Sequence, residues 1–139
     1  MRRKDRFRSD KDGNSFRRKD RLQGAGGIDT IYGGNGADPF VLSNVVGAHD
    51  FFEDFVSGTD QLEISAAQFG GGLGAGLLGG AQFSTNATGN FTTSNERFVY
   101  NSNSRQLFYD ADGNAGANSS VLIAFFDVGA PALGDFRVV

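Results

Sequence analysis

Two aspartates set nine residues apart, each closing a run of glycines, are the residues of this chain best suited to chemistry. The stretch from Gly24 to Leu42 reads GAGGIDTIY and then GGNGADPFV before its final Leu. In both units glycines open the pattern, an Asp stands sixth (Asp29, Asp38) and a large apolar residue stands eighth (Ile31, Phe40). Glycines reach positive φ easily and let backbone carbonyls converge with no Cβ in the way. An Asp at the end of such a turn adds a hard anionic oxygen, and Ca²⁺ takes roughly six to eight oxygen ligands from carboxylates and carbonyls. The candidate calcium ligands are therefore Gly24, Gly26, Gly27 and Asp29 in the first unit, and Gly33, Gly34, Asn35, Gly36 and Asp38 in the second. Asp20, Asp54 and Asp60 are secondary candidates.

Catalytic constellations are harder to build. A zinc site of the HExxH type needs two histidines on one helix face, and His49 is the single histidine. No Cys exists to act as nucleophile, and no GxSxG elbow occurs. Asp50, Glu53 and Asp54 form an acidic cluster that reads as solvated or calcium-associated rather than as an acid/base pair. Gly74, Gly76 and Gly79 make a formal GxGxxG, with Glu96 further on. Dinucleotide binding needs a helix after those glycines to hold the pyrophosphate, and AQFSTNATGNF is poor in helix formers. Asp110, Asp112 and Asn114 have EF-hand-like spacing, but the Gly is misplaced and no Glu closes the loop, which favours a hairpin loop over a metal site. The chain is not expected to be an enzyme.

The elements that must position these residues read as strands. Thr30 to Tyr32 and Pro39 to Val41 follow the glycine turns, each with its central side chain inward. Gly58, Thr59 and Asp60 supply a turn before the alternating strand Gln61 to Ile64, and Ser65 is placed to cap a brief helix through Phe69. Gly70 to Gly80 is most simply a flexible loop. Arg97 to Tyr100 and Gln106 to Tyr109 flank a polar turn, and Val121 to Phe126, apolar on both parities, belongs in the middle of the packed region.

A chain of 139 residues supports one modest domain. Without Cys, stability outside a cell has to come from packing and metal. There is no apolar run of about 18 residues and no cleavable amino-terminal signal, so neither a membrane span nor a standard secretory route is expected. The net charge of -3 hides a division: residues 1–22 carry ten Lys and Arg against four Asp, while the remainder has three Arg and twelve acids. Residues 1–23 are read as a basic segment, either a solvated tail or a degraded repeat, since Asp20 and Leu22 stay in phase with Asp29 and Ile31. Nucleic acid, the remaining way to use such a charge, is not the expected partner.

The two units of residues 24–42 resemble the calcium-binding nonapeptide of RTX (hemolysin-type) proteins, which coil into a parallel β-roll. Further on, FVL, DF, SGTD and QLEIS are similar to the segment that follows the repeats in serralysin-type RTX proteins. RFVYNSNSRQLFYDADG, VLIAFF and the final DFRVV resemble the carboxy-terminal end of the same exoproteins. The resemblance implies an all-β fold, a short parallel β-roll remnant joined to a β-rich, sandwich-like carboxy-terminal body over residues 43–139. It implies a calcium-binding module, secreted and extracellular, of bacterial origin. Asp135, Phe136, Arg137, Val138 and Val139 fit the acid-x-x-Val ending that such proteins carry in an uncleaved signal for the type I (ABC-type) secretion apparatus. Alternatives are an adhesive surface protein, or the remnant of an RTX protease or lipase whose catalytic domain lies upstream. In an RTX roll one turn takes two nonapeptides, about 18 residues, so Asp29 and Asp38 would lie on opposite edges. Asp38 would then look for its partner loop at Ser15 to Asp20, and Asp29 would face Lys11.

Overall fold

The computed structural model describes residues 6–8 (backbone only), 28, 30–47 and 49–139. Asp20, Gly24, Gly26, Gly27 and Asp29, with Lys11 and the Ser15 to Asp20 loop, lie outside the described residues.

The chain is all-β, with one short α-helix among the described residues. Strand β1 (Arg6–Arg8) is followed by β2 (Thr30–Tyr32), β3 (Pro39–Val41), β4 (Asp50–Phe52) and β5 (Gln61–Ile64). Helix α1 (Ala66–Phe69) comes next, then β6 (Gly76–Leu77), β7 (Phe83–Asn86), β8 (Phe98–Asn101), β9 (Gln106–Tyr109), β10 (Val121–Phe126) and β11 (Phe136–Val138). Two sheets form, in the orders β1-β2-β4-β10-β9-β8-β7 and β3-β5-β11-β6.

Successive strands from β2 to β5 alternate between the sheets, and within each sheet the pairing is parallel: β2 with β4, β3 with β5. That is a parallel coil, because a chain that switches sheets at every strand can return only in the same direction. One turn takes 21–22 residues, longer than the two nonapeptides of a regular roll. The basic segment contributes β1, which pairs in parallel with β2.

The expected strands at 30–32, 39–41 and 61–64 are present with those limits. Thr-Ile-Tyr and Pro-Phe-Val suit a half-buried pleated surface, and their central residues, Ile31 and Phe40, are fully buried. Ser65 caps α1, its hydroxyl accepting from Gln68 N at 3.2 Å. β10 lies inside the larger sheet, parallel to β4 on one side and antiparallel to β9 on the other, which matches its apolar run. The glycine stretch is more ordered than a flexible loop: Gly76–Leu77 is a strand that pairs antiparallel with β11. The preceding glycines, Gly70, Gly71 and Gly72, all hold positive φ.

No break separates the repeat strands from the later ones, since both sheets run through them. Between the sheets lies one core. Phe40 packs on Phe52 with ring centroids 4.9 Å apart, and Phe52 and Phe55 each meet Phe126 edge-on at 5.2 Å. Phe98 and Phe83 carry the core on to Phe136. The absence of Trp is thus met by a ladder of phenylalanines, whose tilted and edge-to-face contacts add to the area they bury.

Candidate functional site

Among the described residues three connections leave the larger sheet for the smaller one: residues 33–38, 53–60 and 127–135. Each joins a strand of one sheet to a strand of the other at the same end, so they stack along one edge of the coil. The first is the glycine turn of the second nonapeptide. Gly34 and Gly36 adopt φ of 79° and 92°, values that glycine takes at no steric cost. Gly33 is required for space instead: a Cβ there would stand 2.9 Å from the Phe40 ring and 3.2 Å from Asp38 Oδ2. Asp38, 1% exposed, thus lies inside the turn it closes. Its backbone is held in turn, Asp38 N donating to Asp60 Oδ1 at 3.0 Å and Gln61 N donating to Asp38 O at 2.9 Å.

The later loops supply carboxylates that reach back. Asp54 accepts from Gly33 N at 2.6 Å and Gly34 N at 2.9 Å, one bond per oxygen. Asp60 accepts from Asp38 N and, through Oδ2, from Val56 N at 2.9 Å. Asp135 accepts from Gly58 N at 2.9 Å, Ser57 Oγ at 2.6 Å and Ala132 N at 2.8 Å. Burial pushes the Asp60 carboxyl above its ordinary range; the amides of Asp38 and Val56 oppose the shift, and the Asp54 and Asp135 carboxylates add to it.

These positions differ in their fit to calcium. Asp38 suits it, being a carboxylate set in a glycine turn where no Cβ crowds the backbone. Asp54 and Asp60 suit it poorly, because their oxygens already face N–H groups, whose positive ends oppose a cation. Among the described residues no three acidic, His or Cys side chains converge on a point that could hold a metal. An ion on this edge would have to draw on backbone carbonyls beside Asp38.

The acidic cluster read from Asp50, Glu53 and Asp54 is divided by its own strand. Asp54 follows β4 and joins the edge just described, whereas Asp50 opens β4 at the other end. Phe51 is the register partner of Thr30, so Asp50 holds before Phe51 the place that Asp29 holds before Thr30 in the sequence. Likewise Phe40 registers with Leu62, so Asp60 holds the place of Asp38 one turn later. The loop in register with the Asp38 turn is thus 53–60, downstream, with Asp60 at a step of 22 residues rather than 18. His49 meets Phe51 in a tilted contact, ring centroids 5.8 Å apart, at that other end.

The remaining candidates are structural. Asp110 Oδ1 accepts from Asp112 N, Asp112 Oδ2 from Ala117 N and Asn118 N, and Asn114 Nδ2 donates to Thr92 O. The first three bonds close the β9–β10 hairpin loop with the loop's own amides, and the fourth ties it to the connection between β7 and β8. Burial pushes Asp110 up, and the hydrogen bond shared with its carboxyl holds Asp112 down. After Gly79 comes a single 3-10 turn, Gly80–Gln82, and not a helix, so the formal GxGxxG lacks an anion-binding terminus.

At the carboxy end Asp135, Phe136 and Val138 are 4%, 0% and 2% exposed, while Arg137 and Val139 face outward. The five residues of the candidate secretion signal are therefore Asp135, whose carboxylate binds the 53–60 loop, strand β11 and the residue after it, with β11 lying between β5 and β6. No helix among the described residues is long and apolar enough to cross a membrane. Comparison with protein-family models and with characterised proteins finds no match to this chain.

Proposed function

We propose that this chain is a non-catalytic, calcium-responsive carboxy-terminal module of the RTX type, exported through a type I secretion apparatus and folded outside the cell. The observation that supports the reading best is the Gly33 to Asp38 turn. It combines positive-φ glycines, a position with no room for a Cβ and a buried closing Asp, at the corner of a two-sheet parallel coil. The ligands proposed are this turn and its upstream counterpart, Gly24, Gly26, Gly27 and Asp29. Calcium, when bound, supplies the positive charge that offsets converging carbonyls and carboxylates. Extracellular modules bind it at about 10⁻⁴–10⁻³ M, so such sites stay empty inside a cell and fill outside it. A tenfold excess over Kd adds about 1.4 kcal/mol per site.

Calorimetric titration with Ca²⁺ tests the first half. Binding heat and a higher Tm at millimolar ion are expected; neither heat nor a shift would overturn it. Export in cells carrying a type I system tests the second half, comparing deletion of residues 135–139 with Phe52→Ala, which loosens the core and leaves the terminus intact. Loss of export in the deletion alone supports the signal, and export of both removes it.

A further inference from the structure

We infer that Asp54, Asp60 and Asp135 stitch successive turns of the coil directly, carboxylate to amide, and that the part of the chain from Pro39 onward holds its fold with no calcium bound. The inference rests on the coil geometry and not on the calcium response proposed above.

The direction of the bonds carries the argument. Each carboxylate comes from a later loop and reaches an earlier one: Asp54 to Gly33 and Gly34, Asp60 to Asp38, Asp135 to Ser57 and Gly58. The first two stitches span 21 and 22 residues, one coil turn each. The third spans 78, because β6 to β10 intervene before the chain returns to the same edge. One device is thus used wherever a loop stacks on the loop before it, whatever the length of chain between.

The polarity of the donors completes it. All six oxygens of the three carboxylates receive a hydrogen bond at 2.6–3.0 Å, from an amide in every case and from the Ser57 hydroxyl besides. Bonds from N–H to an ionised carboxylate are roughly twice as strong as neutral ones. They also present the positive ends of amide dipoles to the space between the loops, which a divalent cation would have to share. The residues of this edge after Asp38 are therefore matched to an anion already in place, and any calcium response belongs to the repeat turns before Pro39.

Thermal unfolding of the full chain, followed by near-ultraviolet circular dichroism in excess EDTA and in millimolar Ca²⁺, tests the inference. A cooperative transition in EDTA is expected. Asp60→Asn and Asp135→Asn each place an amide where a donor already points, and should lower Tm by about 5 °C or more, equally in both conditions. A chain with no cooperative transition in EDTA would overturn the inference with no variant needed. So would variants that keep the wild-type Tm in EDTA and lose only a calcium-dependent rise, since the carboxylates would then be ligands. A chain that folds in EDTA and ignores calcium would retain this inference while removing the calcium function proposed above.

Discussion

Glu96 accepts hydrogen bonds from Ser84 Oγ, Thr92 N, Thr92 Oγ1 and Thr93 N while only 5% exposed. Burial alone would raise its pKa, but the four donors outweigh it and hold the carboxyl below its ordinary value. A depressed folded pKa contributes stability that is present above the unfolded value and lost as pH falls through the folded one. Glu96→Gln should cost about 1–2 kcal/mol at neutral pH and flatten the acid limb of a plot of Tm against pH. An unchanged acid limb would show that Glu96 titrates no differently in the folded chain. Tyr109 offers a simpler case: its hydroxyl donates to Phe69 O at 2.7 Å in the core. Tyr109→Phe should cost about 1 kcal/mol, measured by urea unfolding. Neither role could be read from sequence. Ser84 lies in the short strand β7 and Thr92 and Thr93 in the connection that follows it, with no periodic signature to join them to Glu96, whereas Asp38 could be found because glycine spacing marks its turn.

At the scale of elements, backbone approach sets the limits. Gly129, with φ of 85°, lies where a Cβ would run into the Phe55 carbonyl; this contact seats the loop 127–135 on the loop 53–60. Gly129→Ala should therefore cost more than about 2 kcal/mol. Gly134→Ala, where a Cβ meets open space, should change stability by less than about 0.5 kcal/mol. Comparable losses at the two sites would mean that the close approach is not what holds the loops together. The strands themselves were legible because alternation and glycine punctuation are local signals. Their neighbours were not. β4 beside β10, and β5 beside β11, are pairings between distant segments, and no local pattern in Asp50 to Phe52 points to Ala124 to Phe126. The coil period is hidden for a related reason: loops 42–49 and 53–60 are longer than nonapeptide turns, so the step is 21–22 residues rather than 18, and nothing in the repeat spacing sets Asp60 in register with Asp38.

For the molecule as a whole, the decisive element is the last strand in the sequence. β11 enters the smaller sheet between β5 and β6, in parallel with one and antiparallel with the other. Phe136, fully buried, joins Phe83 and Phe98 at ring distances of 4.9 and 5.2 Å, and Val138 is 2% exposed. Burying side chains of this size contributes about 1.5–3 kcal/mol each, and losing β11 also strips the ladder from both neighbours. Domains of this kind are stable by only about 5–15 kcal/mol. A chain ending at Asp135 should therefore lose its cooperative melt and its slowly exchanging amides in β5, as read by hydrogen exchange. Arg137→Gln, altering the outward side chain of the same strand without setting a second carboxylate beside its register partner Glu63, should change both far less. If the truncated chain melts cooperatively near the wild-type Tm, β11 is an appendage and not the strand that closes the fold. If it does not, then in the folded chain Phe136 and Val138 are covered on both sides, and a secretion apparatus that reads those side chains can do so only before the sheet closes over them.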